Sequence, residues 1–219
     1  MTTDSDTASE LQTLESLGTR VDLIALDAKA VRTSIEVVSQ LTPADLAKPT
    51  PCAGWTLHGL LEHMITQHYG FAAASHGEGD LSRWRLRPLG DDPVADYRAA
   101  AEHVLASFAE DGVLDRSFPL PEFTRAFEFS GAEAVGFHFV DYVVHSWDVA
   151  RTLGRTVHFD DDLLAVALSV AEIVPGGPAR LAPGSAFGPV VTWSGDSVLD
   201  EIVAMLGRSP SWPERNPLD

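Results

Sequence analysis

The sequence predicts a mainly α protein: a four-helix bundle with a small C-terminal extension of helix and strand. Three observations lead there. Four long stretches repeat their apolar residues at helical spacing. Most open on a capping residue and close near a glycine or proline. The connections include one or two that are long, as in bundles with crossovers, and shorter apolar segments follow the fourth helix.

In order, the first helix is expected over Arg20–Gln40, with Val21, Ile24, Ala28, Val31, Ile35 and Val38 on its apolar side. Thr42 and Pro43 then open a short extra turn. KPTPCAGWT breaks the chain before Thr56, the expected cap of a second helix over Leu57–Ser75, whose stripe runs through Leu60, Leu61, Met64, Ile65 and Phe71. Residues 76–91 read as a charged, glycine-rich surface connection. Asp92 and Pro93 start a third helix that carries Val94–Glu110 up to Gly112. LDRSFPLPEFTRAFEFS, with two prolines, should be irregular with at most a short edge strand. Ser130 and Glu133 form a capping box for the fourth helix, which Gly154 closes. Beyond it come a helix over LLAVALSVAEIV, a short strand at VVTW and a last helix over Val198–Leu206. The expected division is a flexible start over residues 1–18, the bundle over 19–156, and an extension over 157–219 packed on it.

Composition limits the function. A chain of 219 residues with 45% hydrophobic content can bury a core. Thirty-two acidic against 15 basic residues give a formal charge of −17, which repels nucleic acid and anionic membrane alike. No apolar run approaches the roughly 20 residues of a membrane span. A single cysteine, Cys52, excludes an internal disulfide, and no secretory h-region is visible, so a cytoplasmic protein, monomeric or homodimeric, is expected.

The fourth helix carries the chemistry. FHFVDYVVHSWDVARTLG is apolar almost all round except for His138, Asp141, His145 and Asp148, which fall within a sector of roughly 80°. Ionisable groups on a buried helix need partners, and a divalent cation would supply one. Asp141 and His145 are one turn apart; with His63 of the second helix they offer two imidazoles and a carboxylate, a set suited to zinc first and nickel second that leaves a coordination position open. Spacing alone also fits an ordinary Asp–His surface pair and a hydrogen-bonded core histidine at 63.

TPCAGWTLHGLLEHM (50–64) and DYVVHSWDVARTLG (141–154) resemble the actinobacterial family of mycothiol-dependent maleylpyruvate isomerases, within the DinB-like superfamily of metal-binding four-helix bundles. The tail FGPVV with DEIVAMLGRSPSW resembles an uncharacterised branch of it described only as metal-binding, so the likeness spans about Leu23 to Trp212. It implies a divalent metal held by His63, Asp141 and His145, with mycothiol as cofactor and a small electrophilic substrate. Two positions depart from the family pattern. Gly59 stands where an acid would complete a capping box after Thr56, and Asp141 is one methylene shorter than the isomerase's Glu.

Around this set, Asp148 is read either as orienting a ligand imidazole or as paired with Arg151. His138 is read as a fourth ligand, a proton carrier or a polar core residue. Trp55 and Trp147 are read as packing residues, Cys52 as a small apolar residue rather than a redox group, and His58, His68, His76, His103 and His158 as surface or filler. Three functions follow: a thiol-dependent isomerase or transferase, a metal-dependent hydrolase with His138 or Asp148 as proton acceptor, or a metal-binding sensor without turnover.

Overall fold

A computed structural model describes residues 22–52, 54–181 and 186–213. The expected flexible start, and with it Arg20 and Val21, lies outside the described residues. Four helices form the bundle: α1 (Leu23–Val38), α2 (Leu57–Ser75), α3 (Pro93–Phe108) and α4 (Gly131–Thr152). They touch around a ring in the order α1, α3, α2, α4. The links from α1 to α2 and from α3 to α4 therefore cross the bundle diagonally, while the link from α2 to α3 joins neighbours. This is a mainly α four-helix bundle, as expected.

The helix ends follow the sequence signals. Asp22 Oδ1 accepts from Ala25 N at 3.0 Å and Asp92 Oδ1 from Ala95 N at 3.0 Å. The capping box of α4 is complete: Glu133 Oε2 accepts from Ser130 N at 2.7 Å, and Ser130 Oγ accepts from Glu133 N at 3.3 Å. Its Gly131 is obligatory, since a Cβ there would meet the carbonyl oxygen of Val113 at 2.1 Å.

Gly59 weakens the start of α2 less than its poor helix propensity suggests. Thr56 Oγ1 still accepts from Gly59 N, at 3.4 Å, and the preceding loop satisfies the next free donors. Leu57 N donates to Lys48 O and His58 N to Leu46 O, both at 2.9 Å. The entry to α2 is thus held by contacts to the preceding loop, with no carboxylate at position 59.

Strands differ from expectation in place. Residues 190–193 form no strand; Val191 N donates to Ala204 O at 2.9 Å, so that segment lies along the last helix. The irregular excursion instead closes on itself through β1 (Ser117–Phe118) and β2 (Phe129–Ser130), antiparallel. Helices α5 (Asp161–Ile173) and α6 (Val198–Met205) pack on each other, and α5 packs on α4. Their Leu163, Val170, Ile202 and Val203 join the same hydrophobic core as the bundle.

Helix α4 is the axis of that core. Only Phe137, Asp141 and Arg151 of its residues escape burial. Each fully buried large side chain along it, Phe139 or Val143 for example, contributes about 1.5–3 kcal/mol of burial free energy. The helix is therefore fixed by packing, and its one partly exposed acid, Asp141, marks where solvent reaches it. No helix among the described residues is long and apolar enough to cross a membrane.

Candidate metal centre

His63 reaches from α2, and Asp141 and His145 from α4, so that one ligand atom from each lies within 4.8 Å of the others. His145 Nε2 stands 3.3 Å from Asp141 Oδ1. Two donors each about 2.0–2.1 Å from one tetrahedral cation would be about 3.3 Å apart, so this pair already has the required separation. The His63 and His145 rings meet edge to face at 5.3 Å. Among the described residues this is the one group of three or more metal-capable side chains converging in this way.

The electrostatics differ at each ligand. Burial, and then the neighbouring His145, push the His63 imidazole down to about 4, so it is neutral at pH 7 with a lone pair available. Burial opposes ionisation of Asp141, but His145 outweighs it and holds the carboxyl at about 2. His145 is likewise destabilised as a cation by burial, yet Asp141 and then Asp148 raise it to about 9. Without metal His145 holds a proton beside the Asp141 carboxylate, and a cation would take its place.

Behind His145 lies a support that the sequence left undecided. Asp148 Oδ2 accepts from His145 Nδ1 at 3.0 Å, which leaves Nε2 facing Asp141 and His63. The arginine paired with Asp148 is Arg208, whose Nη2 and Nε donate to the same oxygen at 3.1 and 3.3 Å. Arg151 turns away to the carbonyls of Pro210 and Trp212. Arg208 is buried and also donates to Leu206 O at 2.7 Å. Nothing in periodicity singles it out, because it follows α6 in a loop, 60 residues from its partner.

Cys52 sits beside this pair, 3.7 Å from Arg208 Nη2, and burial pushes its thiol up to about 11, so it stays protonated. Trp147 packs in the core as expected. Trp55 does more than pack: half-buried, it stands edge-on to His63 at 4.7 Å.

His138 is placed elsewhere. Its Nδ1 is 2.6 Å from Asp27 Oδ1 and its Nε2 is 3.2 Å from His68 Nδ1. His68 Nε2 is 3.4 Å from the Tyr97 hydroxyl, itself 2.6 Å from Ser34 Oγ. All five side chains are buried. Proton counting sets the direction of this chain. Ser34 gives its only hydroxyl hydrogen to Val31 O, so it accepts from Tyr97. Tyr97 then accepts from His68, and His68 from His138, leaving one hydrogen shared between His138 and Asp27. Burial, with His138 second, drives the His68 pKa well below 6.5, consistent with a neutral ring. His138 has no free nitrogen for a metal, and His68, expected as filler, is a central member of a buried network. Asp27 drew no attention in the sequence because its partner is 111 residues away.

The family described as Mycothiol maleylpyruvate isomerase N-terminal domain matches residues 28–150, more than half of the chain. The chain belongs to that family. An uncharacterized protein of Mycobacterium tuberculosis, found in both the CDC 1551 / Oshkosh and the ATCC 25618 / H37Rv strains, is 29% identical over 170 residues, covering 75% of this chain and 85% of the relative. Among solved structures, the crystal structure of the mycothiol-dependent maleylpyruvate isomerase superposes with a TM-score of 0.53 at 14% identity, over 68% of this chain and 66% of that one. At that identity the likeness shows the fold. All three ligand candidates lie inside the family match, whereas Arg208 lies beyond it.

Proposed function

We propose that this member of the mycothiol maleylpyruvate isomerase family is a thiol-dependent metalloenzyme of isomerase or S-transferase type that acts on a small electrophilic molecule. The observation that carries the reading is the convergence of a neutral imidazole, a carboxylate and an oriented second imidazole at a point that solvent reaches from the Asp141 side. His63, Asp141 and His145 would hold the ion, and three protein ligands leave a position for an exogenous group. Zinc suits the donor set best, with nickel next. When bound, the ion would supply the Lewis acidity that lowers the pKa of a thiol such as mycothiol.

The chain's own residues have separate tasks. Asp148, held by Arg208, fixes the tautomer and orientation of His145. Trp55 limits the movement of His63 and shields that side from water. Cys52, neutral and turned to Arg208, is no substitute for an external thiol. The hydrolase alternative is weakened at both of its suggested proton acceptors. His138 has both ring nitrogens engaged by Asp27 and His68; Asp148 Oδ2 is engaged by His145 and Arg208, and its second oxygen, though without a partner among the described residues, is buried.

The test is a thiol titration of cobalt-substituted protein. Mycothiol is expected to change the visible spectrum of the cobalt at millimolar concentration or below, while a thiol-free analogue does not. An unchanged spectrum would favour a metal-binding module without thiol chemistry.

A further inference from the structure

A second cleft, of about 370 Å³, lies on the other side of α2. Among its lining residues are Tyr69, His76, Arg83, Arg87 and His103. At 100° per residue Tyr69 is roughly 120° round α2 from His63, so the cleft and the candidate metal centre open on different faces. In a chain with a formal charge of −17, this cavity is lined by two arginines against one carboxylate, Glu78, with two histidines beside them, a local balance unlike that of the whole chain.

The arginines are held in place. Trp84, buried between them in sequence, seats on Gly70, where a Cβ would meet the indole at 2.6 Å, and packs on Phe71 with ring centroids 5.3 Å apart. Arg87 N donates to Thr66 Oγ1 at 3.0 Å, which ties the end of this segment to α2. The Arg87 guanidinium lies 4.2 Å over the Tyr69 ring, and Tyr69 in turn faces His103 at 5.3 Å. These three groups build one contiguous wall, the guanidinium over the Tyr69 ring and the His103 ring tilted against it.

Arg87 is the unusual member. Arg83 is paired with Glu78 at 2.7 Å and His76 with Glu110 at 3.0 Å. Among the described residues the Arg87 side chain makes no hydrogen bond and no ion pair, and its Nε is buried without a partner. A partly exposed guanidinium in a cavity wall, braced flat on an aromatic ring and with no partner among the described residues, is arranged to receive an acceptor from outside.

We propose that this cleft binds a small organic oxyanion, a carboxylate or phosphate on a flat body, with Arg87 as the anchoring donor and the Tyr69–His103 wall as the stacking surface. Arg83 would be the second donor, exchanging Glu78 for the ligand. The proposal is independent of the metal reading, because no residue is shared between the two.

Isothermal titration of the full-length protein with benzoate, with inorganic phosphate and with neutral benzyl alcohol tests it. Benzoate should bind with a Kd of roughly 1 mM or below, and benzyl alcohol should not. Arg87→Met should weaken benzoate binding at least about tenfold, Arg83→Gln less, and Arg87→Lys should fall between wild type and Arg87→Met because charge returns without the planar fork. Phosphate binding that is equally sensitive to Arg87→Met would also support the site and would identify the oxyanion alone as the recognised group. Should neither anion bind up to about 20 mM, or should Arg87→Met, shown to be folded by circular dichroism, bind like wild type, the proposal is wrong. If Arg87→Met does not fold, Arg83→Gln decides: unchanged anion affinity would overturn the site.

Discussion

Two clusters of two histidines and one aspartate share α2 and α4, the second reaching α1 through Asp27, and have opposite characters. His63, Asp141 and His145 converge, whereas Asp27, His138 and His68 are strung in a line. In the line every ring nitrogen has a partner, and the chain ends on Tyr97, Ser34 and a backbone carbonyl. In the convergent cluster the His63 ring makes no hydrogen bond among the described residues, and Asp141 is partly exposed while its neighbours on α4 are buried. The same residue types, with the histidines five positions apart on α2 and seven apart on α4, therefore make a linear hydrogen-bonded network in one place, left open only at the buried Asp27 Oδ2, and a convergent donor set in the other. What separates them is the direction of the lone pairs and access to solvent.

The largest expected effect tests the convergent cluster. His145→Ala should reduce bound zinc from about one ion per chain to about none, by elemental analysis, while His138→Leu keeps it. Loss of metal in both variants would erase the distinction. Next in size, Asp27→Ala should cost about 1–3 kcal/mol in urea denaturation, because it strands a buried His138 nitrogen without its hydrogen-bond partner, and should leave zinc stoichiometry unchanged. Retained stability would show that the linear cluster is not under strong mutual dependence. Arg208→Met is a smaller change: zinc affinity should fall roughly 10–100-fold in a competition titration as Asp148 loses its anchor.

The pH dependence sharpens the contrast in the smallest steps. In chelator-treated protein His145 is raised from 6.5 to about 9, so its stabilising proton is fully present below pH 6.5 and is lost as pH rises through 9. Asp141 is depressed from 3.8 to about 2, so its contribution is present above pH 3.8 and is lost as pH falls through 2. Zinc competes with the His145 proton, so between pH 6.5 and 9 zinc affinity should rise about tenfold per unit while metal-free stability declines. Parallel slopes in the two measurements would contradict a proton shared by the ligand pair.

Local signals carried much of this into the sequence. Caps at Asp92, Ser130 and Gly154, and the helical period of α2 and α4, were legible because they depend on neighbours within a turn. The Asp141–His145 pair was legible for the same reason, and His63 became so only through family likeness. Asp27, His68 and Arg208 were not, since their roles depend on partners 60–111 residues away that periodicity does not reach. VVTW reads as a strand from its β-branched residues, but a strand needs an edge to pair with. Among the described residues the segment makes one backbone bond to Ala204 instead.

Arg208 also sets an order of events. The ligand residues leave the ribosome well before it does, and the family match ends at residue 150. A nascent chain can bring His63, Asp141 and His145 together before Arg208 exists, but Asp148 then lacks its guanidinium and His145 its fixed tautomer. The later-made Arg208 is thus a checkpoint on the earlier-made ligand candidates: they reach their final geometry only after that residue has emerged.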